Sequence, residues 1–402
     1  MDKQSLNEGA PAASSERADR KLLPVIDSGR SDAAVSAASF SVKANEPAGL
    51  AKSLREARLA VKTPSLGVVF LTGAVGARVR EVGRVVAEAW KGVPTLIATG
   101  VGVVSDRGNH EDDSAATGLL ASGGHASPFC VTDGSLGDTI RDAKQRGATS
   151  FLLFAEADQL NGERVDELTR AAAGAPLMGG GTPEHAPAIV DVEGRVRSGA
   201  VVGLAQRGLR AQLGVSPAAR VLGQRVHEVT STSGPLLLEL DGKPALDALT
   251  EATRGLSGKP LVLGLLPGPD PDNPLRGGRL RPIRGVDPGR RGVALGEAIA
   301  AGDKVSFVVV DGGSARTDLD ALARELWTKT AGGMPSFGVL VSCAGRRSSL
   351  YGSPEVETRI LRQRFDKVPF AGLHSAFELG PSAGGPSIHY YSGAVGLFSV
   401  PS

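Results

Sequence analysis

Aromatic residues are scarce in this sequence, and their scarcity argues against one large class of binding surfaces. Phe, Trp and Tyr together make up 4% of the 402 residues. A platform that stacks nucleic-acid bases needs exposed aromatic rings. The 45 basic and 43 acidic side chains leave a net charge of only +2, so no global field attracts DNA, RNA or an anionic membrane. We therefore expect neither nucleic-acid nor membrane partners.

Cysteine is equally rare, since the chain has only Cys130 and Cys343. Two cysteines cannot build a disulfide framework, and these two do not have the spacing of a metal site. A single disulfide between them is one interpretation, and a pair of reduced thiols in a cytosolic protein is the simpler one. No metal is expected.

Long apolar runs are also missing. The stretches Val305–Val310 and Gly67–Leu71 have the length of strands and are too short for membrane spans. Met1–Asp32 mixes charges of both signs with Ala, Ser and Gly and has no apolar signal-peptide core. We expect residues 1–32 to form a disordered tail and the protein to be cytoplasmic.

Glycine, in contrast, is abundant, with 54 residues of 402. Apolar strand patterns alternate with helical spacings, and Glu193-Gly194 predicts a hairpin turn. The sequence therefore predicts an α+β fold with mixed or largely antiparallel sheets and helices packed outside. Two related halves are expected, because strand, helix and a strand ending in Gly occur from Gly67 to Gly100 and again from Phe337 to Gly372.

A domain boundary is expected where the composition changes. Residues 256–291 are rich in Pro, Gly and Arg, which is typical of a long irregular connection. The boundary near residue 256 divides the chain into an N-terminal domain, 33–255, and a C-terminal domain, 256–402.

Nucleotide-binding motifs are not found. No G-x-x-x-x-G-K-S/T occurs, and the phrase Gly100-Val101-Gly102 lacks the third glycine of a dinucleotide fingerprint. No cofactor is expected. Gly179–Gly181 follow a short apolar segment, and two interpretations stay open: a backbone nest for an anion, or a flexible sharp turn.

The strongest candidate site lies in the last sixty residues. The strand Phe337–Ser342 runs into Cys343-Ala344-Gly345-Arg346, and Glu378 ends a second apolar stretch. Strand ends beside glycine turns are frequent places for pockets. Arg346 is suited to gripping a carboxylate, and Glu378 to recognising an ammonium group.

Two alternatives stay open for these residues, and a third concerns the tail of residues 1–32. Arg346 and Glu378 are either pocket residues or partners in a buried ion pair. Cys343 is either an inert buried thiol or the nucleophile of a hydrolase or transferase, with His374 or His389 as its base. In a third reading the tail is a docking segment of an adaptor.

These motifs resemble the FIST family. The resemblance rests on Cys343–Arg346, on Glu357, on the phrase from Gly372 to Glu378, and on Leu238–Ala245, which reads L-E-L-D-G-K-P-A. This chain departs from the family pattern at Phe377, where family members commonly have Gly. The resemblance therefore implies a pocket of different shape.

The resemblance implies an intracellular sensory protein that binds a small polar metabolite, such as an amino acid, and signals through a partner protein. It favours sensing over catalysis and implies no catalytic residue. The ligand-binding residues that we expect are eight in number: Gly100, Gly179, Gly180, Gly181, Cys343, Arg346, Gly372 and Glu378.

Overall fold

An order of strand, helix, strand, helix, strand, hairpin and strand occurs three times along the chain. The computed structural model describes residues 37–401 except 133, 224, 225, 259 and 331–333. The first unit has the strands β1 (Ala37–Lys43), β2 (Pro64–Thr72), β3 (Thr95–Thr99), β4 (Val103–Ser105), β5 (Gly108–His110) and β6 (Ala115–Ser122). Its helices are α1 (Ala51–Ala60) and α2 (Val79–Ala89).

The second unit repeats this order without insertions. Its strands are β7 (His125–Val131), β8 (Ser150–Glu156), β9 (Leu177–Thr182), β10 (Ala188–Val190), β11 (Val196–Ser198) and β12 (Val201–Arg207). Its helices are α3 (Leu136–Gln145) and α4 (Gly162–Ala172). The predicted hairpin turn at Glu193-Gly194 is confirmed, because it joins the antiparallel strands β10 and β11.

The third unit starts at β13 (Arg210–Pro217) and contains a small barrel before its first helix. The barrel elements are β14 (Ala219–Val221), β15 (His227–Ser233), β16 (Leu236–Leu240), β17 (Lys243–Pro244), α5 (Ala245–Ala252), β18 (Val262–Leu266), β19 (Arg279–Asp287), β20 (Gly292–Leu295) and β21 (Lys304–Val310). The unit then continues with α6 (Gly312–Lys329), β22 (Phe337–Cys343), α7 (Ser348–Tyr351), α8 (Val356–Arg364), β23 (Phe370–Ser375), β24 (Glu378–Ser382), β25 (Gly385–His389) and β26 (Ser392–Ser399).

Each unit contributes four strands in one spatial order. The first unit is ordered β1-β6-β2-β3, and the others follow as β7-β12-β8-β9 and β13-β26-β22-β23. The last two strands of each order are parallel, and the other neighbours are antiparallel. These mixed sheets confirm the predicted α+β class.

The hairpin of each unit leaves its own sheet and extends the sheet of another unit. β4 of the first unit pairs with β23 of the third, β24 of the third pairs with β9 of the second, and β10 of the second pairs with β3 of the first. The exchange is cyclic: each hairpin belongs to one unit along the chain and is hydrogen-bonded to the sheet of another unit. The two related halves are present as the first and third units, and the second unit adds a further copy.

Apolar residues on both faces of the sheets build the core. One face of each sheet contributes to a shared central core, which includes Phe70, Phe154 and Phe337. The opposite faces are covered by α1 and α2, by α3 and α4, and by α6 and α8, as expected for helices packed outside. Strands covered on both sides read as continuous apolar runs, which explains the uninterrupted pattern of Gly67–Leu71.

The barrel closes on itself and packs on the third unit. β18 pairs with both β19 and β21, so the order β21-β15-β16-β20-β19-β18 returns to β21. Arg281 of β19 is 2% exposed and donates from Nη1 to the carbonyl of Ile388, 3.2 Å away. Residue 256 lies between α5 and β18 of this barrel, and the domain division there stays a prediction. The tail 1–32 lies outside the described residues.

No helix in the described part of the chain is both long enough and apolar enough to cross a membrane.

Candidate functional site

The ends of two neighbouring parallel strands bring three of the predicted site residues together. β22 ends at Cys343, which lies opposite Ser375 at the end of β23. A short 3-10 turn, Ala344–Arg346, follows β22, and Glu378 begins β24 three residues after Ser375. Their side chains, together with those of Glu357 and His374, form a group that we call the buried polar cluster. All five residues are at most 6% exposed.

Arg346 forms an ion pair inside the protein. Its Nε donates to Oε1 of Glu357 at 2.6 Å, and its Nη1 donates to the carbonyl of Ser216 at 2.7 Å. Its Nη2 has no hydrogen-bond partner among the described residues. The alternative of an Arg346–Glu378 ion pair is therefore wrong: the partner of Arg346 is Glu357, and Glu378 acts on Arg346 only through the electric field.

Glu357 on α8 is held by two donors. Oε1 accepts from Arg346 and also from the Tyr351 hydroxyl at 2.9 Å. Burial is the largest single influence on Glu357 and would raise its pKa, but the Arg346 guanidinium, His374 and Ser342 together outweigh burial and lower the pKa. Glu357 is therefore ionised, and the pair is a buried charge pair with hydrogen bonds.

Glu378 is also buried, but no cation bonds to it among the described residues. Its Oε1 accepts from the Ser375 hydroxyl at 3.1 Å, and its Oε2 accepts from the backbone N–H of Ser392 at 3.2 Å. Burial raises the pKa of Glu378 well above its ordinary value. The carboxyl group is therefore protonated over part of the range in which ordinary carboxyls are ionised.

The predicted glycines lie in the sheets around this cluster. Gly179–Gly181 belong to β9, so the expected nest or turn is wrong, because their backbone groups pair with β8 and β24. Gly180 lies opposite Glu378 in the β9–β24 pair. Gly100 donates from its N–H to the carbonyl of Leu71 at 2.9 Å, beside the backbone of His374.

These glycines allow close backbone approach. A Cβ on Gly372 would lie 2.0 Å from the carbonyl oxygen of Leu340, and one on Gly179 would lie 1.6 Å from that of Leu153. Both distances are impossible for real atoms without a backbone shift. Tight sheet packing accounts for these positions, and their role as ligand contacts stays a prediction.

Substituting Gly372 tests that explanation. Gly372→Ala is expected to lower the free energy of unfolding by about 1–3 kcal/mol or more, because the added methyl overpacks the sheet. Gly285→Ala is a matched control, since Gly285 also lies in a strand and a Cβ there meets nothing within 4 Å. Urea unfolding measures both. Equal stability of the two variants would contradict the packing explanation.

Comparison with known protein families identifies the family of this chain. The FIST N domain model matches residues 65–243, and the FIST C domain model matches residues 246–381. The chain belongs to the FIST family. FIST domains are sensory domains of signal transduction, which is the coarse function expected from the sequence motifs.

Two curated relatives are similar over most of their length. The uncharacterized protein Rv0628c of Mycobacterium tuberculosis is 26% identical over 319 residues, which cover 74% of this chain and 81% of the relative. The uncharacterized protein Mb0898c of Mycobacterium bovis is 26% identical over 377 residues, covering 88% of this chain and 94% of the relative.

Phe377, the residue that departs from the FIST pattern, does not point into the polar cluster. It packs with Leu379 in the apolar layer under α3 and α4, and its ring fills the space where a Gly181 side chain would be. Neighbouring residues of an extended chain point to opposite faces, so Glu378 faces the other way. Phe377 therefore does not line the buried polar cluster, and because its ring lies against Gly181, its effect on a ligand site stays a prediction.

Cys343 has the environment of an inert thiol. Burial, and next the Glu378 carboxyl, raise the pKa of Cys343 to about 12. His374 and His389, the two histidines that sequence analysis offered as bases, are buried and have lowered pKa values, His389 at about 4. A protonated thiol is a poor nucleophile, so this geometry disfavours the cysteine-enzyme alternative.

Alkylation measures the reactivity of Cys343 directly. Iodoacetamide is expected to modify Cys343 at least about tenfold more slowly than Cys130 at neutral pH, because Cys343 is buried and protonated. Both cysteines are free, and Cys130 is the more exposed one. Peptide mapping of the folded protein separates the two rates. Rapid modification of Cys343 at neutral pH would instead indicate a thiolate and revive the enzyme alternative.

Sequence reasoning missed several members of this site. Ser216 contacts Arg346 from 130 positions away, with the whole barrel between them in the chain. Ser392, 14 positions after Glu378, lies beyond the motif that contains Glu378. Glu357 was recognised only as part of the family pattern, although a Glu on a helix soon after a buried Arg is a usable signal for a pair.

Proposed function

We propose that this FIST protein senses a small zwitterionic metabolite, such as an amino acid, at the buried polar cluster and signals through a partner protein. The observation that carries the proposal is that a buried donor without a hydrogen-bond partner and a buried carboxyl group without a bonded cation occur together in the described part of the cluster. Arg346 has a free donor, and Glu378 is a carboxyl group that no cation neutralises among the described residues.

The Arg346 side of the cluster suits a carboxylate. Nη2 is buried and has no hydrogen-bond partner in the described part of the chain, and leaving such a donor unsatisfied costs about 1–3 kcal/mol or more. A ligand carboxylate would accept from Nη2, while Glu357 and the Ser216 carbonyl hold the guanidinium in place. Charge-assisted hydrogen bonds of this kind are among the strongest in proteins.

The Glu378 side suits an ammonium group. Without a ligand, burial keeps the carboxyl protonated above its ordinary pKa. A bound ammonium would favour the ionised form, so Glu378 would release its proton as the ligand binds. Affinity for an amine ligand is therefore expected to rise with pH until Glu378 is ionised in the free protein.

The position of the cluster supports a sensory output. Glu378 begins the hairpin that leaves the third unit and pairs with β9 of the second. A ligand that moves Glu378 would shift this exchanged hairpin relative to both units. Such a differential contact is the physical requirement for a ligand to change a conformational equilibrium.

Tyr391 is the proposed gate of the cluster. It is half-buried and has a φ of 50°, which is a strained region for a residue with a side chain. Its ring lies beside Gly345, where a Cβ would approach to 2.9 Å. Rotation of this ring would open a route to Cys343 and Arg346.

Thermal unfolding against a panel of amino acids and their amine-only and carboxylate-only analogues tests the proposal. A zwitterion at 100 times its dissociation constant is expected to stabilise the protein by about 2.7 kcal/mol. Glu378→Gln is expected to abolish this response, because the amide cannot ionise, and exposed Glu88→Gln is the control. The proposal fails if no zwitterion stabilises the protein, or if Glu378→Gln responds like the wild type.

A further inference from the structure

A concave site lies at the junction of the first and second units. This cleft has a volume of about 710 Å³ and is lined by Arg80, Arg84, Cys130, Thr132, Gly194, Val196, Arg197 and Ser198. We call it the arginine cleft. We propose that it binds the phosphate group of a small phosphorylated metabolite.

The exchanged hairpin creates the arrangement of charges. Arg80 and Arg84 are four residues apart on α2 and therefore lie on one face of that helix. The hairpin β10–β11 crosses from the second unit to pair with β3, and this crossing places Arg197 of β11 in the same cleft. Three guanidinium groups from two units therefore meet around one cavity.

Among the described residues, the carboxylates nearest the arginines of the cleft have other partners. Glu81, one turn from Arg84 on α2, accepts from Arg78 Nε at 3.0 Å. Arg80 and Arg84 form no ion pair with any described residue, and the one carboxylate near Arg197, that of Asp191, is 4.0 Å away. Asp191 is already bonded by Arg195 at 2.8 Å. No Asp or Glu of the described chain lines the cleft.

The lining favours phosphate over a simple carboxylate. Each guanidinium matches two oxygens of an oxyanion, and phosphate offers enough oxygens and charge for several arginines at once. The hydroxyl of Thr132 adds a neutral hydrogen-bonding group, whereas that of Ser198 already donates to the carbonyl of Pro187 at 2.9 Å. The net charge of +2 gives no broad basic surface, so a small molecule within the cavity fits better than nucleic acid.

At the two corresponding junctions the exchanged hairpin contacts neighbouring elements. At β4–β5, Asn109 bonds with Thr358 of α8, and Arg107 Nε donates to the Ser39 carbonyl of β1 at 3.1 Å. At β24–β25, a Cβ on Gly385 would lie 3.0 Å from Thr169 of α4. Such contacts hold the exchanged hairpins in place, and at the β10–β11 junction the described lining of the cleft includes three arginines.

Cys130 supplies a reporter for occupancy. It lines the cleft and is half-buried, whereas Cys343, the other cysteine of the chain, is buried. Burial raises the pKa of Cys130 and the nearby Arg197 opposes that change. Its labelling rate therefore depends on access to the cleft and on the local positive charge, both of which a bound phosphate would change.

The test measures the rate at which N-ethylmaleimide modifies Cys130, by peptide mapping, with and without inorganic pyrophosphate at constant ionic strength. Saturating pyrophosphate is expected to slow the reaction at least about tenfold. Arg84→Gln and Arg197→Gln are each expected to weaken the apparent affinity at least about tenfold, the loss of one charge-assisted contact. Exposed Arg55→Gln on α1 is the matched control and is expected to keep the affinity.

Two results would overturn the assignment. One is a Cys130 labelling rate that millimolar pyrophosphate does not change. The other is protection with the same concentration dependence in Arg84→Gln, Arg197→Gln and the Arg55→Gln control, because the pyrophosphate would then bind elsewhere. The reaction is run on the whole chain, and rates are compared within each variant.

Discussion

Arg346→Met is expected to lower the free energy of unfolding by about 3–5 kcal/mol, because it leaves the Glu357 carboxylate buried without its partner. The pair is 2.6 Å apart, and its side chains are 0% and 2% exposed. Glu357→Leu is expected to cost a similar amount by stranding the guanidinium. Urea unfolding with an unchanged m value measures both losses.

The double variant distinguishes the pair from two separate effects. Arg346→Met combined with Glu357→Leu is expected to recover much of the deficit, since neither charge is then left alone. The exposed pair Arg364–Asp320 is the control, with side chains 38% and 27% exposed. Arg364→Ala is expected to cost less than about 1 kcal/mol. Near-wild-type stability of all the Arg346 and Glu357 variants would contradict the buried pair.

His389 is expected to make the fold acid-sensitive. Burial, and next Arg281, lower the pKa of His389 from its ordinary 6.5 to about 4. As pH falls below 6.5, His389 of the unfolded chain binds a proton, whereas His389 of the folded protein binds one only near pH 4. The unfolded state binds more protons in this window, so the folded state should lose about 3 kcal/mol across it.

His389→Gln separates this contribution from other titrating groups. The variant is expected to lose less stability than the wild type between pH 6.5 and 4. His125→Gln, at an exposed position, serves as the control and should follow the wild-type curve. Parallel curves for the wild type and His389→Gln would contradict a buried neutral His389.

The location of the site was predictable because it depends on local sequence. An apolar strand followed by Cys343-Ala344-Gly345-Arg346 defines a strand end. Glu378, which the sequence placed at the end of an apolar stretch, instead begins β24 after a short turn. Parallel strands bring such ends to one edge of a sheet. The convergence of Cys343, Arg346 and Glu378 follows from these features and the structure shows it.

The partners of these residues were less predictable, because they depend on contacts distant in sequence. Arg346 and Glu378 have opposite charges and similar surroundings, so sequence alone offered their pairing, yet α8 places Glu357 closer. Gly179–Gly181 read as a turn because glycine is typical of turns. They lie in β9, where the backbone of Leu153 leaves no room for a Cβ at Gly179, so glycine here permits close strand packing.

The second unit and the exchange of hairpins left almost no sequence signal. Corresponding strands share an apolar pattern rather than particular residues, and the barrel between β13 and α6 breaks the spacing of the third unit. The exchange depends on which sheet edge a hairpin meets in space. Neither hydrophobic periodicity nor turn chemistry contains that information.

Titration calorimetry of the wild type and Glu378→Gln tests the central claim most directly. The ligand is the amino acid that gives the largest thermal stabilisation, measured in two buffers of different ionisation enthalpy at mildly acidic pH. The wild type is expected to release close to one proton per ligand bound, because the ammonium ionises Glu378, and Glu378→Gln should release none and bind more weakly. Equal affinity and equal proton release in the two proteins would contradict a zwitterion site at Glu378.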